Sequence, residues 1–172
     1  MVTAGHISEE FRERCITHIT ESHERILKCI DALNEEQLWL RTNAASNSIG
    51  NLVLHLNGNI TQYILSSLGG QEDMRERDLE FKEESRIAGT ELKQQFTETI
   101  TEAIRVIKAQ SVDDLMKIRS VQGFTYTGLA NILHVTEHLS YHTGQIAFYT
   151  KQLLNLDLGF YAGINLNEHN RK

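Results

Sequence analysis

Thr127-Gly128-Leu129-Ala130-Asn131-Ile132-Leu133-His134-Val135-Thr136-Glu137-His138-Leu139-Ser140-Tyr141-His142-Thr143-Gly144-Gln145-Ile146-Ala147-Phe148-Tyr149-Thr150-Lys151-Gln152-Leu153-Leu154 is the stretch that decides the fold. Ile132, Val135, Leu139, Ile146 and Leu153 recur at helical spacing, so one long amphipathic helix is predicted from Thr127-Gly128 to about Leu154. At 1.5 Å per residue it would be roughly 40 Å long. A helix of that length needs partners to cover its apolar stripe.

The rest of the chain supplies them. Phe11, Cys15, Ile19, Ile26, Ile30 and Leu33 predict a first helix from about Ser8 to Leu33. A second opens at the N-cap cluster Ser46-Asn47-Ser48, carries Ile49, Leu52, Val53, Leu56, Ile60 and Ile64, and stops at Gly69-Gly70. A third begins near Thr90 with Leu92, Phe96, Ile100, Ala103, Ile104 and Ile107, and frays near Gln110. The charged stretch 70–89 reads as a surface connection, longer than most helix-to-helix loops. Lys117 to Thr127 reads as either an extended loop or a small hairpin around Gly123. The expected fold is an all-α, four-helix up-and-down bundle with long connections, one domain over residues 1–172.

Bulk composition narrows the function classes. The chain has 172 residues, is 40% hydrophobic and 23% charged, and carries a net charge of -6. That acidic balance argues against nucleic-acid binding. No apolar run approaches the roughly 20 residues that span a bilayer, and the start lacks the features of a signal peptide, so a cytoplasmic protein without membrane association is expected. Cys15 and Cys29 lie on one predicted helix about 21 Å apart, too far for a disulfide, and are expected as buried thiols. The chain contains no proline, which agrees with long unbroken helices.

Three histidines recur at intervals of four on the last helix. With Ile132 at zero, His142 falls near -80°, His138 near -120° and His134 near -160°, on about 100° per residue. The histidines therefore cross the edge of the apolar face obliquely, with His134 furthest out. His138 and His142, one turn apart, can reach one ion. On the second helix His55 lies on a comparable flank, with Asn59 a turn beyond it. His55, His138 and His142 are therefore the expected ligands of one divalent ion. Three imidazoles leave an open coordination position, as catalytic sites do, and suit Zn²⁺, Ni²⁺ or Fe²⁺. Asn59, His134, Glu137 and Gln145 are the expected neighbours that orient the rings or meet substrate. His18 and His23 are expected as buried histidines of the first helix, and His6 and His169 as terminal residues without a specific role. Arg75 and Arg77 read as part of a solvated, salt-bridged loop, with binding of an acidic substrate as the other reading.

Asn47 to Asn59 (Asn-Ser-Ile-Gly-Asn-Leu-Val-Leu-His-Leu-Asn-Gly-Asn), Arg75 to Phe81 (Arg-Glu-Arg-Asp-Leu-Glu-Phe) and His138 to Ile146 (His-Leu-Ser-Tyr-His-Thr-Gly-Gln-Ile) together resemble the DinB/YfiT-like superfamily, in a branch of unknown function. The resemblance covers nearly the whole chain in order. It implies a four-helix bundle of unusual connectivity, often a homodimer. It also implies a triad of one His on the second helix and a His-x-x-x-His pair on the last, again His55, His138 and His142. Many members carry Arg where this chain has Thr143. Relatives include metal-dependent transferases that use low-molecular-weight thiols, so the resemblance implies a thiol and an electrophilic small molecule as substrates. A hydrolase using a metal-bound hydroxide and a non-catalytic, metal-binding stress-associated dimer are the competing readings.

Overall fold

The computed structural model describes residues 1–83 and 87–170. The parts of the 70–89 connection and of the C-terminal tail that fall on 84–86 and 171–172 lie outside the described residues. Four long helical elements dominate: α1 (Ala4–Ala32), α3 (Ile49–Ile60), α5 (Gly89–Ala109) and α7 (Gly128–Leu154). Short helices α2 (Glu35–Leu38), α4 (Arg77–Lys82) and α6 (Val112–Met116) lie in the connections. A hairpin of β1 (Ile118–Val121) and β2 (Phe124–Thr127) precedes α7.

The helices start where side chains can satisfy their free amides. Thr3, Asn34, Ser48 and Ser111 each accept from the third residue of their helix, whose side chain reaches back to the cap. His6 is the returning partner at the first of these, which gives it a structural task. It also moves the start of α1 four residues before the expected Ser8. Thr127 Oγ1 accepts from the Ala130 amide and opens α7 as expected, and Asn155 ends it at φ 48°.

α1 packs against α5 and α7, and α3 packs against the same two helices. The α1–α3 and α5–α7 pairs thus stand across the bundle, and the chain crosses it twice. The core between them is apolar, with Ile19, Ile26, Leu56, Phe96, Ile107 and Ile132 all at most 1% exposed. Cys15 and Cys29 are buried within it as free thiols. His18, expected inside, is exposed and pairs with Glu21, because α1 turns that flank to solvent. His23 is half-buried against Phe96 and hydrogen-bonds Thr97.

α3 does not end at Ile60. It continues as a π-helical turn, Thr61–Ser66, before Gly69 and Gly70. Of the two readings of 117–127, the hairpin is the observed one. Gln122 and Gly123 form its two-residue turn, both at positive φ. Tyr63 on the π turn donates to Gln122 and ties the hairpin tip to the bundle.

The 70–89 connection is pinned to the bundle. Asn51, which also caps α3, donates through Nδ2 to the carbonyls of Glu80 and Glu83 at 3.0 and 2.9 Å. Trp39 Nε1 donates to the Ile87 carbonyl, and Arg41 to that of Phe81. These contacts lay α4 along the outer side of α3, directly over His55. No helix among the described residues is long and apolar enough to cross a membrane.

Candidate functional site

His55 comes from the middle of α3, and His138 and His142 come from successive turns of α7. The α3–α7 packing brings the three rings edge to edge. Their centroids are 5.0 Å (His55–His138), 5.2 Å (His55–His142) and 4.5 Å (His138–His142) apart. One nitrogen from each lies within 4.8 Å of the others. His55 and His142 are 6% and 9% exposed, so the cluster is largely withdrawn from water.

The partners of the outer nitrogens fix which nitrogens face inward. His55 Nδ1 lies 2.9 Å from Glu80 Oε2, and His142 Nδ1 lies 2.7 Å from Gln145 Oε1. Each contact pairs an Nδ1–H with an oxygen acceptor and leaves an Nε2 lone pair for the centre. Histidine ligands of metals are held in this way. The Nε2 atoms of His55 and His138 are 2.9 Å apart. Two nitrogens on one ion at about 2.0–2.1 Å stand about 2.9 Å apart at a right angle and about 3.4 Å apart at the tetrahedral angle. That pair stands at ligand spacing, and with a His142 nitrogen within 4.8 Å the three could hold a divalent ion.

Electrostatics favour the neutral forms of His138 and His142. Burial, then the neighbouring His142, His55, His134 and Arg75, lowers His138 to about 3. His142 is lowered mainly by burial, against the hydrogen bond to Gln145 that raises it, with His55 lowering it further. Neutral imidazoles present lone pairs, the state that metal ligation requires.

Glu80 is the residue that sequence reasoning missed. Burial pulls its carboxyl up, but the hydrogen bonds to His55 and Arg75 and the charge of Arg75 outweigh it, so its pKa lies below the usual carboxylate range. Arg75 clasps both oxygens, Nε to Oε1 at 2.7 Å and Nη2 to Oε2 at 3.0 Å. Its Nη1 donates to Gln62 Oε1, and Gln62 in turn donates to Asp73. The Arg75 side chain is only 4% exposed, so it belongs neither to a solvated loop nor to a surface site for an acidic substrate. Arg77 lies over the Phe81 ring, which itself packs 4.9 Å from His55. Gly58 makes room for this pairing: a Cβ there would lie 2.0 Å from Glu80 Oε1. A glycine inside an apolar helical pattern was the one signal of such a close approach.

The other expected neighbours divide. Gln145 Oε1 lies against His142 Nδ1. Asn59 is 3% exposed, and its Nδ2 lies 3.4 Å from His134 Nε2. His134, expected furthest out, is half-buried, stacked between Tyr63 (4.3 Å) and His138 (5.5 Å). The hairpin and the π turn fold over that flank, which a wheel drawn for one helix does not show. Glu137 is exposed, makes no hydrogen bond among the described residues, and touches the site only through its charge on His134. On the other side of the cluster, a cleft of about 420 Å³ opens at His142.

No curated protein matches the chain. Among solved structures it is similar to a DinB-like protein from Bacillus cereus, with a TM-score of 0.65, 18% identity, and 82% of this chain and 91% of that one covered. A DinB-like protein from Bacillus subtilis gives a TM-score of 0.66 at 15% identity, covering 86% of this chain and 97% of that one. A mutant of the mycothiol-dependent maleylpyruvate isomerase gives 0.64 at 11% identity, covering 78% of this chain and 60% of that one. At these identities the likeness is one of fold, and the fold is DinB-like, as the sequence resemblance implied. A family profile described as "Protein of unknown function (DUF1572)" matches residues 6–161, nearly the whole chain, and the protein belongs to that family.

Proposed function

We propose that the protein holds one divalent ion, Zn²⁺, Ni²⁺ or Fe²⁺, through His55, His138 and His142, and that it is a transferase using a low-molecular-weight thiol. The observation that carries this reading is the convergence of three imidazoles, each with a nitrogen within 4.8 Å of the others and two of them paired with Glu80 and Gln145. When bound, a divalent ion lowers the pKa of a thiol at an open position and so supplies a thiolate at neutral pH.

The protein's own residues do the rest. Glu80 and Arg75 hold His55 against rotation, and Gln145 holds His142. Phe81, Tyr63 and His134 wall the cluster and keep water from two sides. The cleft at His142 admits the substrates from the third. A fold neighbour that depends on mycothiol supports the choice of a thiol over water as the activated group. The reading carries with it a cytoplasmic homodimer, which sedimentation of the purified protein tests.

The deciding experiment is metal analysis of untagged protein beside His55→Ala, His138→Ala and His142→Ala, followed by thiol-dependent consumption of a panel of electrophiles. One equivalent of metal in the wild type, none in the variants, and turnover only with added thiol are expected. Wild-type protein that takes up none of the three ions at neutral pH overturns the reading.

A further inference from the structure

We infer that the cleft at His142 selects an uncharged substrate, one with an aromatic or aliphatic body bearing hydroxyl or amide groups. The inference rests on the thiol-transferase reading for where the reacting end of that substrate lies. It adds the chemistry of the part that is recognised.

The cleft runs from His142 between the start of α3, the 42–47 segment before it, and the outer face of α7. Its volume of about 420 Å³ suits a small molecule. Its polar lining is made of amides and hydroxyls: Thr42, Ser46, Asn47, Gln145 and Gln152. Its apolar lining is Leu52, Phe148 and the rings of Tyr141 and Tyr149. None of the described lining residues is an acid, a lysine or an arginine. In a chain that is 23% charged, eleven lining residues would be expected to carry about two or three charges. The contrast within the molecule is sharper. The cleft on the far side of α3, beside α4, is lined by Arg75 and by Glu72, Glu76, Glu80 and Glu83.

Two features mark the uncharged cleft as a place for a ligand. Phe148 and Tyr141 are 70% and 61% exposed, a large apolar area left open along one edge of the cleft. Tyr141 is held there by Gln145, whose Nε2 donates to the tyrosine oxygen at 3.1 Å while its Oε1 engages His142. One amide thus links the ring at the centre to the aromatic edge. Asn47 and Gln152, by contrast, make no hydrogen bond among the described residues, so their amides are open to a ligand. Beyond the ion-binding end at His142, a carboxylate, phosphate or ammonium held along this cleft would lose water and meet no opposite charge from its lining, which costs affinity. A hydroxyl would meet Asn47 or Gln152, and an apolar body would meet Phe148.

The test uses benzyl mercaptans of one shape that differ only at the para position: hydroxymethyl, carboxylate or aminomethyl. Their S-methyl thioethers form a second series. Binding to the zinc-loaded full chain is measured by calorimetry, and the binding face by backbone NMR shifts at Gln145, Phe148 and Gln152. The hydroxymethyl member of each series is expected to bind at least tenfold more tightly than either charged member. Phe148→Ala should weaken it about fivefold, and Gln152→Lys should bring the carboxylate to parity or better. Thiols that bind no more tightly than thioethers would overturn the thiol reading while the order of charges still decides the cleft. A carboxylate or ammonium member within threefold of the uncharged one overturns the inference. So does the absence of saturable binding by the uncharged member in both series, or a Gln152→Lys variant with unchanged preference.

Discussion

Replacing Gly58 with alanine should destabilise the protein, although alanine is the better helix former. In an open helix the change would gain about 1 kcal/mol. At Gly58 the new Cβ would lie 2.0 Å from Glu80 Oε1 and 2.9 Å from Arg75 Nε. The carboxylate must withdraw by about 1 Å or more to reach ordinary contact. It now accepts from Arg75 Nε at 2.7 Å, from Arg75 Nη2 at 3.0 Å and from His55 Nδ1 at 2.9 Å. Withdrawal breaks the first and stretches the others. Losing a buried ion pair costs about 3–5 kcal/mol. Partial accommodation by side-chain rotation and the helix-propensity gain leave a net loss of about 2–3 kcal/mol. For a chain of this length that lowers Tm by about 5–10 °C. Zinc affinity should fall about 10- to 100-fold, because the group that orients His55 has moved. Gly144→Ala is the control. It lies in the middle of α7, a Cβ there meets nothing within 4 Å, and it should stabilise by about 0.5–1 kcal/mol. Thermal melts and competition with a zinc chelator read both effects. A Gly58→Ala protein that melts at or above the wild type, with zinc affinity within twofold, would refute the reasoning.

Three further outcomes are expected. Glu80→Gln, which keeps the shape and removes the charge, should weaken zinc binding about tenfold and leave Arg75 short of its partner; unchanged affinity would show that the carboxylate does not orient His55. His134→Ala should leave one zinc per chain within about threefold of wild-type affinity, whereas His138→Ala should abolish binding. Equal losses in both variants would mean that the ligand set is wrong. Burial, against hydrogen bonds to Thr136 and Thr150, raises the Cys15 and Cys29 thiols. The folded state therefore keeps protons that the unfolded chain gives up near pH 9.0. Their contribution is complete below that pH and is lost as pH rises through the folded values, so denaturant midpoints should fall as pH rises above about 9. A Cys15→Ala, Cys29→Ala double variant should show a shallower fall; an identical slope would exclude the thiols.

Much of this was legible in the sequence, and the remainder was hidden for physical reasons. Periods of three, four and seven located the four long helices, because each buries one stripe. The four-residue step from His138 to His142, and the flank position of His55, were enough to select the cluster, since helix geometry places such residues together. Glu80 was not legible. It sits in a six-residue helix with no fully buried residue, inside a charged run, and its partner His55 lies 25 positions away. Arg75 looked solvated for the same reason: nothing local distinguishes a charge that meets its partner under a strap from one in water. His134 looked exposed because a helical wheel knows nothing of the π turn and hairpin that close over it. The stop at Gly69-Gly70 was legible, but the change from α to π geometry over Thr61–Ser66 was not.

The helices α3 and α7, which carry the proposed ligands, meet across a separation of 83 residues between His55 and His138. Closing a loop of that length costs about 4 kcal/mol of chain entropy, which the apolar core must supply before any ion meets all three rings. A peptide carrying only His138 and His142 therefore offers two donors and none of this prior organisation. On the proposed reading, ion capture belongs late on the folding path, after α3 and α7 have docked. Loading the site should slow unfolding and leave the refolding rate nearly unchanged. Metal content then reports on the topology of the whole chain, and a distant core lesion will register as lost ion before it registers as lost helix.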